Sequence, residues 1–278
     1  MKMLSMSLAG VTPHEYAALL GKDRRIDRQK LAEKLRFAGQ LDEDYLKRNM
    51  RENNISVITI EDGIYPSGLR QIYDPPYLIY CRGDVGLLNE PLLGVVGSRK
   101  STSYSRTVLT DILPHFKNKI SIVSGLAYGA DEMAHEISIN AGLKTIGVLA
   151  FGFDFHYPAT TKKLRGIMEK YHLVISEYPP SAGIEKWKFI ARNRIIAGIS
   201  EGVLVTEAEE RSGSLITLDM ALNENRHAYC IPGNITSKLS AGTNSRIREG
   251  AKPVICAGDV LEDFSCGVSS PSEKIKLL

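Results

Sequence analysis

Four short segments combine glycine, small hydroxyl residues and arginine in a way that suits phosphate recognition. Gly97-Ser98-Arg99-Lys100-Ser101 follows the apolar run 92–96. Glycine lets a backbone approach an anion, the start of a following helix offers unpaired N–H groups, and two cations supply charge. A plain strand-to-helix turn with a solvated Arg-Lys pair fits the same residues. Ser124-Gly125-Leu126-Ala127-Tyr128-Gly129-Ala130-Asp131 follows the run 120–123; its spaced glycines beside the Ser124 hydroxyl suit a phosphate cradle, with Asp131 a candidate helix cap. In Glu207-Ala208-Glu209-Glu210-Arg211-Ser212-Gly213-Ser214, the two serines are N-cap candidates, while Arg211 beside Gly213 can aim a guanidinium and backbone donors at one anion. The three glutamates there oppose a simple basic patch. Gly233-Asn234 and Gly242-Thr243-Asn244, with Arg246 and Arg248 beyond, read equally as a surface turn and a solvated basic helix.

Two further stretches add charge. Lys162 and Lys163 follow the run 145–149 and so can lie near the same strand ends. Trp187-Lys188-Phe189-Ile190-Ala191-Arg192-Asn193-Arg194 mixes aromatics with cations, suited to stacking bases and neutralising phosphates. Arg192 and Arg194 stand about 200° apart on a helix, so at least one is expected to serve structure.

Common cofactors and catalysis find little support. Gly94-Val95-Val96-Gly97-Ser98-Arg99 lacks the G-x-G-x-x-G spacing of NAD or FAD binding, and no Gly-Lys-Ser/Thr of a Walker loop occurs at these turns. The four cysteines are widely separated without metal-ligand spacing, and Cys230 and Cys256, in apolar runs, are expected in the core. None of the six histidines sits in a nucleophile motif; Asp131 and His135, four apart, are expected to form a helix-stabilising pair. No catalytic residue, metal or cofactor is expected.

The elements that must position these turns follow from periodicity. At 278 residues and 43% hydrophobic, the chain can bury a large core. No stretch approaches the roughly 18 apolar residues of a membrane span, so a cytoplasmic location and no membrane partner are expected. Residues 1–52 show helical apolar spacing and hold the excess positive charge; a boundary falls near residue 53. From residue 92, short apolar runs alternate with helical segments at 107–116, 131–140, 189–199 and 215–225, and residues 266–278 read as a polar tail. Continuous apolar strands alternating with helices predict an α/β doubly wound, mostly parallel sheet over 53–265, with ligands beyond the strand carboxyl ends.

Taken in order, Gly97-Ser98-Arg99, the turn 124–131, Phe189-Ile190-Ala191-Arg192-Asn193-Arg194, Arg211-Ser212-Gly213-Ser214, Ile231-Pro232-Gly233 and Gly242-Thr243-Asn244 resemble the bacterial DNA-processing protein A family (DprA, also called Smf), over roughly residues 55–262. The resemblance implies an extended Rossmann-like domain that binds single-stranded DNA, usually as a homodimer, and helps load the recombinase RecA during natural transformation. It also implies a helical SAM-like domain at 1–52. By position it assigns DNA or phosphate contacts to Gly97, Ser98, Arg99, Ser124, Gly125, Gly129, Arg192, Asn193, Arg194, Arg211, Ser212, Gly213 and Ser214, with Arg99 a principal contact. Where family members commonly carry lysine after a Tyr-Pro pair this chain has Ala159, leaving Lys162 or Lys163 as substitutes. The alternative is a Rossmann-like enzyme or sensor acting on a free nucleotide; lack of an acid/base pair favours the strand binder.

Overall fold

The structure, a computed structural model, describes residues 2–22 and 24–265; the tail 266–278 lies outside them. Helices α1 (Met3–Leu8), α2 (Pro13–Leu19), α3 (Arg28–Gln40) and α4 (Glu43–Glu52) come first. Their starts are encoded locally. Thr12 and Glu15 form a reciprocal capping box before α2, and Asp27 and Asp42 accept first-turn amides of α3 and α4. The four helices share a core with the sheet: Met3, Leu4, Met6 and Leu31 cluster with Tyr77, Tyr80 and Phe151. Tyr80 Oη donates to Ser7 Oγ, Tyr77 Oη donates to Val11 O, and Tyr16 stacks on Tyr77 at 4.4 Å.

After β1 (Ser56–Thr59), α5 (Ser67–Gln71) and β2 (Leu78–Gly83), strands and helices alternate: β3 (Leu92–Val96), α6 (Ser103–Ile112), β4 (Ser121–Ser124), α7 (Ala130–Asn140), β5 (Thr145–Val148), α8 (Lys162–Tyr171), β6 (Leu173–Ser176), α9 (Lys186–Ile199), β7 (Gly202–Val205), α10 (Gly213–Asn223), β8 (His227–Cys230), α11 (Lys238–Arg248), β9 (Lys252–Pro253) and α12 (Gly258–Ser265). They form one sheet in the order β1-β2-β6-β5-β4-β3-β7-β8-β9, parallel from β6 to β9, with β2 antiparallel to β6 and β1 to β2. This is the expected doubly wound fold. The runs at β3 to β7 are wholly buried because both faces are covered. Leu93 and Val95 face α6, α7 and α12; Leu92 and Val96, one residue out of phase, face α5, α9 and α10.

Strand β3 lies between β4, which follows it, and β7, which returns on its other side, with Gly94 registered to Val123 and Val203. The winding direction reverses there, and the carboxyl-end loops of β3 and β7 splay apart into a crevice.

Two expectations fail at this level. Cys230 is buried but Cys256 is exposed, because β9 is a two-residue edge strand and the chain leaves the sheet at once, with Ile255 78% exposed. Asp131 and His135 do not pair. Buried His135 bonds Thr145 Oγ1 through Nδ1 at 2.7 Å, while Asp131 interacts with Arg192; each finds a partner on a neighbouring element.

Candidate nucleic-acid interface

The crevice at the β3–β7 reversal holds an open pocket of ≈ 420 Å³. Gly97, Ser98 and Arg99 reach it from the loop after β3, Asp131 from the start of α7, Arg192 and Asn193 from α9, and Arg211, Ser212, Gly213 and Ser214 from the loop after β7. Segments more than 100 residues apart in sequence thus share one wall, because β3 and β7 are hydrogen-bonded neighbours.

The β3 loop is held by backbone and by one buried carboxylate. A side chain at Gly97 would collide with Thr206 and Ala130, so only glycine lets the chain turn against β7 there. Gly129, at φ +79°, packs beneath the same loop; a Cβ would sit 2.5 Å from Ser98 O and 2.8 Å from Arg99 O. Ser98 Oγ accepts from Lys100 N at 3.0 Å, and Ser98 N donates to Glu207 O at 2.7 Å. The Glu207 carboxylate accepts from Thr102 N at 2.7 Å, Thr102 Oγ1 at 2.9 Å and Ser105 Oγ at 2.7 Å. Glu207 is therefore turned inward as a brace, and of the three glutamates in its loop only Glu209 lines the pocket. Nothing in the sequence separates Glu207 from its neighbours, since its partners lie about 100 residues upstream.

Arg99 and Arg211 are exposed, and neither guanidinium meets a carboxylate or hydrogen-bond acceptor among the described residues. Arg99 lies over the Phe189 ring, 5.6 Å from its centroid. Ser212 caps α10 by accepting from Ser214 N at 3.3 Å, as its residue type predicts; Ser212 Oγ and Ser214 Oγ are 2.7 Å apart. The amino end of α10, with its partial positive charge, enters the same pocket. Asn193 Nδ2 lies 3.5 Å from Gly213 O, a long contact.

Arg192 forms the floor. It is 4% exposed, and its Nη1 donates to Val148 O at 2.6 Å. Its guanidinium occupies the space that a side chain at Gly125 would need, which explains that glycine. Burial holds the Asp131 carboxyl above the usual carboxylate range, and Arg192 and the Ala127 and Gly125 amides offset only part of that. Ser124, at the end of β4, spends its hydroxyl on Val95 O at 2.6 Å and lies behind the wall.

Six assigned residues are not in the pocket lining: Ser124, Gly125 and Gly129 lie behind its wall, and Arg194, Lys162 and Lys163 lie elsewhere. Arg194, on the other side of α9, donates to both carboxylate oxygens of Glu177 at 2.9 and 2.6 Å and pairs with Asp74 at 3.4 Å. The 200° separation from Arg192 decides this. Lys162 and Lys163 open α8 as exposed residues after β5. The turn at Gly233 and Gly242 is structural: Asn244 accepts from Gly233 N and donates to Gly233 O, Gly242 N donates to Ala208 O, and Arg246 pairs with Asp219 and Glu249.

Aromatic rings extend from the pocket along the strand ends. Phe189 meets Tyr157 edge to face at 5.8 Å, and Tyr157 meets Tyr128 at 6.4 Å. Tyr128 and Tyr157 are 40% and 43% exposed, so this surface is open to stacking. Among the described residues no cluster of three or more His, Cys, Asp or Glu is placed to hold a metal, and no helix is long and apolar enough to cross a membrane.

Fold and site together define a Rossmann-like protein with an open cationic pocket at its topological reversal and an aromatic surface beside it. The family model for DNA recombination-mediator protein A matches residues 56–265. DNA processing protein DprA of Bacillus subtilis is 41% identical over 216 residues, covering 77% of this chain and 73% of the relative. Its Streptococcus pneumoniae counterpart is 41% identical over 225 residues, covering 81% and 79%. The solved structure of the Streptococcus pneumoniae protein superposes with a TM-score of 0.84 at 36% identity, over 94% of this chain and 96% of that one. DNA processing protein A of Helicobacter pylori, solved to describe its single-stranded DNA binding mode, gives 0.68 at 28% identity over 76% and 97%. The chain belongs to the DNA processing protein A family.

Proposed function

We propose that this protein binds single-stranded DNA along the β3–β7 crevice without reading its sequence. In this reading it acts as a cytoplasmic homodimer without chemistry on the strand, and helps load RecA during natural transformation. Residues 1–52 form a SAM-like domain beside the Rossmann-like domain of 53–265. The observation that carries the reading is the pair Arg99 and Arg211: two exposed guanidiniums, unengaged by carboxylates among the described residues, beside the amino end of α10 and an open aromatic surface. A single strand offers one phosphate per nucleotide and unstacked bases, and this surface offers partners for both. Membership of the family and the strand-binding Helicobacter pylori relative support it. Two such surfaces in a dimer would raise avidity without adding contacts per subunit.

The test is binding of fluorescent single strands of different composition to the full chain. The expected affinities lie within about tenfold of one another, since stacking and phosphate contacts tolerate sequence. Discrimination far beyond that would contradict the reading. Acceleration of RecA filament nucleation on strands coated with the protein tests the loading role.

A further inference from the structure

Helix α9 has a cavity on each side. Opposite the anion pocket, Trp187, Lys188, Ala191 and Arg194 line a second cavity of ≈ 610 Å³, closed by the α1–α2 turn, the approach to β2 and the segment after β6. That is the volume of a small-molecule site.

Its chemistry differs from that of the first pocket. Arg194 sits between Glu177 and Asp74, one cation between two carboxylates, so this cluster repels a phosphate. Burial alone would lower the Arg194 pKa; Glu177 and Asp74 more than reverse that and hold it charged. Lys188 is engaged by Gly183 O at 2.9 Å and Glu185 at 2.8 Å. Asp74 lines the cavity with its side chain 30% exposed and, apart from Arg194 Nε at 3.4 Å, its carboxylate meets no hydrogen-bond donor among the described residues, an acceptor that calls for a donor. Tyr178 and Trp187 meet edge to face at 6.2 Å and 86°, and Trp187 is 57% exposed at the cavity, its Nε1 donating to Glu185. An aromatic wall, an unpaired acceptor and, among the described residues lining it, no unengaged Lys or Arg suit a flat heterocycle carrying an amino group.

The two cavities are separated by one helix, about 10–12 Å across. A strand must pass round that helix, half its circumference or roughly 16–19 Å, which is about five nucleotides of a stacked strand at 3.4 Å each. We propose that the second cavity receives a base of the same strand whose phosphate is held at Arg99, stacked on Trp187, with adenine, cytosine or guanine donating an amino hydrogen to Asp74. This rests on the single-strand reading above. The anion pocket would hold the backbone and the far side of α9 would hold a base.

Trp187 is the sole tryptophan of the chain, so the emission comes from this one side chain at the cavity. The full chain is titrated with oligo-dA, oligo-dC and oligo-dT while anisotropy of a labelled end follows binding independently. Quenching of Trp187 in step with binding is expected, with oligo-dA and oligo-dC bound about threefold more tightly than oligo-dT, the worth of one net hydrogen bond. Ala191→Phe, which fills the cavity from α9, should abolish the quench and weaken binding about fivefold or more. Asp74→Ala, which removes the acceptor, should erase the preference over oligo-dT. Binding by anisotropy with unchanged Trp187 emission, and unchanged affinity in Ala191→Phe, overturns the cavity while leaving the single-strand reading intact. Absence of binding overturns both. If free adenosine quenches Trp187 while leaving strand affinity unchanged, the cavity serves a free nucleoside and the proposal falls.

Discussion

Replacing Arg99 by alanine removes one exposed guanidinium and leaves the fold intact. Its side chain makes one ring contact, 5.6 Å from the Phe189 centroid, and no hydrogen bond or ion pair among the described residues. Global stability should therefore stay within about 0.5 kcal/mol of the parent. Strand binding should not. One hydrogen bond to a charged group contributes about 1.5–3 kcal/mol, so the dissociation constant should rise roughly 10- to 150-fold. One fewer neutralised phosphate should also reduce the slope of log affinity against log salt by about 0.7. The assay is fluorescence anisotropy with a labelled single strand between about 50 and 200 mM salt, together with urea unfolding. Arg106→Ala is the control, because Arg106 is also exposed but pairs with Glu136 on the α6–α7 surface. Parent-like affinity and slope in Arg99→Ala, or an equal loss in Arg106→Ala, would refute the assignment.

Gly129→Ala should destabilise by more than about 2 kcal/mol in urea unfolding, from a positive φ and a Cβ driven against two carbonyl oxygens; stability equal to the parent would contradict that packing. Glu207→Ala should lose about 3 kcal/mol by leaving the Thr102 amide and the Ser105 hydroxyl without their acceptor, and should weaken strand binding because the far end of the Arg99 loop, at Thr102, loses its brace; a stable variant with normal binding would remove Glu207 from the site. Burial, with His172 and Arg192 nearby, lowers the pKa of His135 to about 3, whereas the unfolded chain protonates near 6.5. Between those values the unfolded state binds the extra proton, so stability should fall with falling pH by up to about 1.4 kcal/mol per unit. His135→Gln should flatten that dependence between about pH 6.5 and 5, and an unchanged pH profile would show that His135 is not its source.

Strands and their order of burial were legible because the parallel sheet imprints continuous apolar runs: 92–96 and 202–205 match β3 and β7 residue for residue. The edge was not, since Pro253-Val254-Ile255 is an apolar run, yet the edge strand is Lys252–Pro253 and shares only Pro253 with it. In the site, the convergence of Gly97–Arg99 with Arg211–Ser214 follows from the rule that loops at a reversal of a parallel sheet face one crevice. Helical geometry shows that Arg192 and Arg194 diverge, but packing alone tells which is buried against Val148 and which meets Glu177. The brace at Glu207 and the pairing of Phe189 with Arg99 were opaque for a shared reason. Their partners Thr102, Ser105 and Arg99 are distant in sequence and come close only through the winding of the sheet.

The central claim is that the β3–β7 crevice is a track for a strand rather than a pocket for a nucleotide. The most direct measurement is affinity for a single strand, the matching duplex and a free mononucleotide, side by side under one salt condition. The account predicts that the single strand binds most tightly, the duplex less well because its bases are paired and cannot stack on Tyr128, Tyr157 and Phe189, and the mononucleotide most weakly. A mononucleotide that binds as tightly as the strand and displaces it would contradict the account.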